Sequence, residues 1–293
     1  MKRFLVFVLL ALSLTISSEA QRHGEVHVAI LGDNNTWLGG DSCNKPRGWT
    51  KWFVQKFKPT SCLSYARKGA TWTNTAKTKY NITENSDIVG DDNVIYNQIN
   101  RLIDACKKGR QHTPDLILIS AGANDAMFIK LRPYAYAFSV NQAFANTDIR
   151  YTKYPINKVL SLSESVRYGC EMIQEHFPNA RIILITPMQT MMVSDAMIQH
   201  TGDIIDNCGR KMHISVIRMD FESCVKSSQE TRTKKYTYDG THTSREGAWL
   251  NGYHIAMRVA SLIDPNRQSK NSYKQIGIYY SHSIVEGGFE EMS

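Results

Sequence analysis

The sequence predicts an α/β protein in which a parallel sheet is covered by helices on both faces. Three observations lead there. Short unbroken apolar runs recur along the chain, as in strands buried on both sides. Segments with apolar residues at helical spacing fall between them, so strands and helices alternate. The chain has 293 residues and is 42% hydrophobic and 21% charged, enough apolar material for one large core, and no Pro/Gly/Ser-rich linker or repeat divides it. With 18 Gly, 8 Pro and 6 Cys, composition excludes a disordered chain, a collagen-like repeat and a small disulfide scaffold.

Val26–Leu31 (VHVAIL) is the first strand and runs into Gly32-Asp33. Trp49–Phe57 (WTKWFVQKF) has helical spacing, and Leu63–Ala66 is a candidate second strand. The polar stretch Thr71–Asp92 reads as loop. Val94–Cys106 is an amphipathic helix with Ile95, Ile99, Leu102, Ile103 and Cys106 on one face. Asp115–Ser120 (DLILIS) is a strand of the fully buried type. Met127–Tyr154 is rich in aromatics (Phe128, Tyr134, Tyr136, Phe138, Phe144, Tyr151, Tyr154) and follows a strand end, which suits either local packing or a substrate wall. Ile156–His176 is a long helix that stops before Pro178. Arg181–Thr186 (RIILIT) is a strand, Ala196–Cys208 a helix, Ile214–Met219 (ISVIRM) a fifth strand, and Ser244–Ile263 a last helix closed by Pro265.

Residues 1–20 read as a signal peptide: Lys2 and Arg3, an apolar run from Phe4 to Ile16, then Ser18-Glu19-Ala20. The run is about 13 residues, shorter than the roughly 20 of a bilayer span. The expected organisation is signal peptide 1–20, one domain 21–266 and a C-terminal extension 267–293, in a secreted or periplasmic protein with no membrane span. The six cysteines form no CxxC pair, so a zinc ribbon is not suggested. Cys43 and Cys62 flank the helix at 49–57 and are expected to be bonded. The formal charge of +8 raises nucleic-acid binding, but clusters such as Lys107-Lys108-Gly109-Arg110 are short and read as solvated surface.

Chemistry collects in three blocks at strand ends or before the last helix, Gly32-Asp33-Asn34-Asn35-Thr36-Trp37, Gly122-Ala123-Asn124-Asp125 and Asp239-Gly240-Thr241-His242, with Gly69 as a weaker fourth point. Asp239 and His242 are three apart in a turn, so the carboxylate can fix the tautomer of the imidazole and leave its other nitrogen as a base. The side-chain amide of Asn124 and the backbone N–H of Gly69 can donate to a developing oxyanion. The turn after the first strand places residue 34 at the edge where α/β sheets bind ligands.

In this order the blocks resemble the SGNH hydrolases, also called GDSL-like esterases and lipases, over about Val26 to Ala260. The resemblance implies a three-layer α/β/α sandwich of flavodoxin-like type with a five-stranded parallel sheet, ester hydrolysis, and no metal or organic cofactor. It assigns Gly69 and Asn124 to the oxyanion hole, Asp239 and His242 to the orienting acid and the base, and position 34 to the nucleophile. That nucleophile is a Ser in the family's Gly-Asp-Ser block and is Asn34 here. An amide nitrogen is delocalised and is no acyl acceptor. Three readings of Asn34 stand open: a natural non-catalytic relative that keeps the pocket for binding, a variant of an active esterase, or another hydroxyl as nucleophile. Ser42 is the alternative, since Gly40-Asp41-Ser42 repeats the motif, although it does not follow the apolar strand. The expected partner is a small ester or an acylated glycan, as substrate of a secreted esterase or as ligand of an inactive relative.

Overall fold

The computed structural model describes residues 25–84, 87, 89–145 and 153–263. The expected signal peptide, the C-terminal extension and Tyr151 lie outside them. Strands β1 (His27–Gly32), β2 (Ser61–Ser64), β3 (Leu116–Ser120), β4 (Arg181–Ile185) and β5 (Ser215–Ile217) form one sheet in the order β2-β1-β3-β4-β5. Every pairing is parallel. The helices, in chain order, are α1 (Asn34–Trp37), α2 (Trp49–Phe57), α3 (Ile95–Lys107), α4 (Ala123–Met127), α5 (Val140–Ala145), α6 (Leu162–His176), α7 (Asp195–Lys211), α8 (Met219–Glu222), α9 (Ser227–Thr233) and α10 (Arg245–Ile263).

Side chains alternate across each strand, and both faces of this sheet are covered. Ala29, Leu31, Ile117, Ile119, Ile182 and Leu184 pack on α3, α6 and α7 through Ile95, Ile99, Leu162, Val166, Ile173, Ile205 and Cys208. Val28, Ile30, Leu116, Leu118, Ile183 and Ile185 pack on α2 and α10 through Trp49, Phe53, Phe57, Ile255, Ala256 and Val259. The three-layer α/β/α arrangement expected from the sequence is therefore what forms. Among the described residues, no helix is long and apolar enough to cross a membrane.

Several boundaries differ from the sequence reading for identifiable reasons. β2 begins at Ser61, because His27 to Ile30 of β1 align with Ser61 to Ser64. The long helix begins at Leu162, and not at 156, because Ser161 and Glu164 form a reciprocal capping box; residues 156–158 are a separate 3-10 turn. β5 stops at Ile217, where Arg218 turns the chain into α8. The short helices α1, α4, α5, α8 and α9 have too few residues for a periodic signal. The described residues of 71–92 are irregular, as expected, yet Thr71, Thr73, Asn74 and Thr78 are buried, each with a polar partner: Thr73 with Asp125, Asn74 with the Val159 carbonyl, Thr78 with Asp91, and Thr71 with the Thr73 carbonyl.

The expected disulfide is not formed. Cys43 and Cys62 are free thiols, their sulfurs 3.6 Å apart against about 2.05 Å for a bond. The pair was rightly brought together by α2, but the turn that carries Cys43 leaves the sulfurs in contact without linking them.

Candidate active site

Parallel strands end on one edge, so the loops leaving β1, β2 and β3 meet there. The turn from β1 into α1 is tight because Gly32 has no side chain: a Cβ would stand 2.5 Å from the Ser120 carbonyl oxygen. Gln98, buried on α3, accepts from Gly32 N at 2.8 Å and donates to Gly32 O at 2.9 Å. Asp33 is buried, and burial, with Asp125 nearby, pushes its carboxyl up to about 7, although the backbone amides of Asn35 and Ala123 act against this.

Asn34, the first residue of α1, is the hub of the site. Its Oδ1 accepts from the backbone N–H of Gly69 at 2.7 Å and from Asn124 Nδ2 at 3.1 Å. Its Nδ2 lies 2.9 Å from His242 Nε2. The Gly69 amide can only donate, so the amide oxygen of Asn34 must face it and the NH2 must face the histidine. Nε2 is then the acceptor, and the ring proton sits on Nδ1, 2.6 Å from Asp239 Oδ2. Asp239 Oδ1 accepts from the backbone N–H groups of Thr241 at 3.0 Å and His242 at 2.7 Å. Burial raises the Asp239 carboxyl, but these donors and the His242 ring outweigh it and hold it below the usual carboxylate range.

Each group has its own support. Gly69 has φ +70°, a backbone that glycine adopts at little cost. The residues after it are tied down by buried Asp125, which accepts from Trp72 N at 3.0 Å, Thr73 N at 2.9 Å and Thr73 Oγ1 at 2.7 Å. Burial still pushes the Asp125 carboxyl up. Asn124 is 1% exposed and also donates to the Ala70 carbonyl at 2.8 Å. Gly122, at the start of α4, has φ +129°, which L residues rarely adopt. The Asp239–His242 loop is held from both sides. Asn35 donates to Thr241 O at 3.1 Å and accepts from Thr243 N at 2.9 Å. Buried Glu230 accepts from Tyr236 N at 2.8 Å and Thr237 N at 3.0 Å. At the rim, Tyr238 stacks on His242 with ring centroids 5.7 Å apart. The Arg47 guanidinium lies 3.9 Å from the Tyr238 ring centroid, and Tyr238 is 47% exposed.

The structure thus brings Asn34, Gly69, Asn124, Asp239 and His242 together. It does not bring Ser42 to them: Ser42 lies exposed in the turn after α1. In the aromatic stretch after α4, the described aromatics divide between packing and exposure, with Tyr134 and Phe138 exposed. Tyr136, Phe144 and Tyr154 lie against the core, and Tyr136 Oη pairs with Thr201 at 2.6 Å. Its link to the site is Arg132, which donates to Val89 O at 2.8 Å; Val89 N in turn donates to Gly69 O at 3.1 Å. Sequence reasoning missed Asn35, Gln98, Glu230 and the anchoring by Asp125. Gln98 carried a signal, as a polar residue beside the apolar stripe of α3; Glu230 carried none. Among the described residues, no group of three His, Cys, Asp or Glu side chains could hold a metal ion.

A carboxylate-oriented imidazole and two N–H donors converging on one oxygen, at the ends of parallel strands, are the apparatus of an acyl hydrolase. Residues 28–250 match the model of the GDSL-like lipase/acylhydrolase family, and the chain belongs to that family. Among solved structures, it is similar to a possible lipase from Chitinophaga pinensis at 15% identity, covering 82% of this chain and 99% of that one with a TM-score of 0.51. The lipase/acylhydrolase from Enterococcus faecalis matches at 16% identity, 80% and 96% coverage and a TM-score of 0.46. An acetyl xylan esterase matches at 15% identity, 81% and 100% coverage and a TM-score of 0.47. No curated protein matches the chain. At these identities the likeness to solved structures is one of fold.

Proposed function

We propose that the chain carries a carboxylic-ester hydrolase site for a small acyl ester, such as an acetylated carbohydrate, and that Asn34 holds this site in a state that forms no acyl-enzyme. The observation behind this is the Asn34 carbonyl oxygen, bonded to Gly69 N and Asn124 Nδ2, where the carbonyl oxygen of an ester would be polarised. In this reading Gly69 and Asn124 are the oxyanion donors, His242 is the base and Asp239 orients it. A hydroxyl at position 34 would lose its proton to His242 Nε2 and attack the ester carbon, and water would later release the acyl group by the same route. Loss of a triad serine lowers kcat by about 10⁶, and binding with oxyanion stabilisation retains roughly 10³–10⁴ over water. Here even that remainder is suppressed, because the hole is filled from within. Residues 1–20 are proposed to direct the protein to a secreted or periplasmic location.

A carbohydrate carrier is favoured by the rim. Tyr238 stacks on His242 and carries the Arg47 guanidinium over its ring, while 47% of the residue stays exposed; the polar rim edge this makes suits sugar hydroxyls better than an acyl chain. The same rim lies outside the filled hole, and supports a second reading in which the native chain holds an acylated glycan without turnover.

The test is acetate release from an acetylated xylo-oligosaccharide by the native chain, Asn34→Ser and Asn34→Ser/His242→Ala. Release by Asn34→Ser alone is expected. Preference of Asn34→Ser for long-chain triglycerides, or inactivity of a folded Asn34→Ser protein on every ester, would overturn the substrate and the site assignment respectively. For the second reading, calorimetry on the native chain with the same oligosaccharide should show binding that Tyr238→Ala abolishes.

A further inference from the structure

We propose that the site acts on its own side chain: the apparatus around Asn34 hydrolyses the Asn34 amide, turning it into an aspartate and releasing ammonia. The inference does not depend on which ester, if any, the site accepts. It rests on how the amide is held. A primary amide is itself an acyl compound, and Asn34 presents one in the pose of a substrate. Its carbonyl oxygen receives the two donors, Gly69 N at 2.7 Å and Asn124 Nδ2 at 3.1 Å. Its NH2, the leaving group, faces His242 Nε2 at 2.9 Å. The ring is backed by Asp239 at 2.6 Å on the other nitrogen. The His242 side chain is 23% exposed and Asn34 is half-buried, so the pair borders solvent.

Water is the co-reactant. Its oxygen bonds to Asn34 Cγ while its proton passes to His242 Nε2, and the carbonyl electron pair collects on Oδ1 under the two donors. As the pair returns, the Cγ–Nδ2 bond breaks, His242 gives the proton to Nδ2, and ammonia leaves. The new carboxylic acid then ionises, its proton passing to the ammonia. Nothing is oxidised or reduced.

The ordinary route of asparagine loss is disfavoured at this position. It requires the backbone nitrogen of the next residue to attack Cγ through a cyclic imide. Asn34 is helical and its amide is held by three partners, so Cγ is not free to swing onto the backbone nitrogen of Asn35. The two routes leave different products: direct hydrolysis yields only aspartate, whereas the imide opens to aspartate and isoaspartate together. Asn35 is a built-in comparison. Its amide oxygen also receives two donors, Thr243 N at 2.9 Å and Thr243 Oγ1 at 3.2 Å, but its NH2 donates to the Thr241 carbonyl and faces no imidazole base.

The experiment is incubation of the purified full chain at neutral pH in ordinary water and in water enriched in heavy oxygen, followed by mass spectrometry of the peptide containing residues 34 and 35. Expected is conversion of residue 34 to aspartate with one heavy oxygen incorporated, no isoaspartate, and an intact amide at Asn35. His242→Gln should slow conversion by about a hundredfold or more, and Asn124→Ala by a similar factor. The same chain unfolded in urea should convert only at the slow rate of a free peptide. Three results would overturn the proposal: residue 34 converting no faster folded than unfolded, an aspartate–isoaspartate mixture, or a rate unchanged in a folded His242→Gln chain. A failure here would leave ester hydrolysis by Asn34→Ser untouched, so the two readings are separable.

Discussion

Replacing Asp33 by Asn should reduce the dependence of stability on pH between about 4 and 7. Asp33 lies between the β1 end and Asn34, is 5% exposed, and has its carboxyl raised to about 7, chiefly by burial. In the unfolded chain the same group ionises near pH 4. Between these values the folded protein holds one more proton than the unfolded one. Stability therefore falls as pH rises, by about 1.4 kcal/mol per unit, and levels off above pH 7. Over roughly three units the loss is of order 4 kcal/mol as an upper bound. Asparagine has the same shape, keeps an oxygen for the backbone amides of Asn35 and Ala123, and carries no proton to lose. The assay is the urea midpoint from pH 4.5 to 8.5. Asp33→Asn should match the native chain at the acid end and exceed it at the alkaline end. Asp125 is raised in the same direction, so a residual slope should persist in the variant. An unchanged slope in Asp33→Asn would refute the reasoning.

Two further outcomes follow from the geometry. In the Asn34→Ser background, Asn124→Ala removes one of two oxyanion donors and should lower kcat by about 10²–10³ with little change in KM, as initial rates on an aryl acetate would show. Mild oxidation should close a bond between Cys43 and Cys62, whose sulfurs are 3.6 Å apart; closing that loop should add about 3 kcal/mol, seen as a rise in the urea midpoint that Cys62→Ser eliminates.

The fold was legible because its strands are continuous apolar runs. VHVAIL, DLILIS and RIILIT cannot be solvated on either face, and the helices between them carry one apolar stripe each. The boundaries that moved were set by terms that periodicity does not contain. Ser161 and Glu164 cap α6 through their side chains, and β2 takes its register from β1. The site was legible as four blocks, since strand-end turns need glycine and the Asp239–His242 pair is local. What could not be read was how the blocks meet. Asn34 and His242 are 208 residues apart, and the Asn35 contact that fixes the histidine loop joins equally distant segments. Nor could the Asn34 side chain be foreseen to do more than lack a hydroxyl. Its carbonyl oxygen accepts from both donors of the proposed oxyanion hole.

The claim that Asn34 fills the oxyanion hole and thereby stops acylation is tested most directly by the initial rate of aryl acetate hydrolysis in the native chain beside Asn34→Ser. The exchange frees Gly69 N and Asn124 Nδ2 and supplies an oxygen beside His242. The expected result is a rate for Asn34→Ser at least about 10³ above a native chain near the uncatalysed rate. A native chain within about tenfold of Asn34→Ser, an advantage of under 1.4 kcal/mol in barrier, would contradict it.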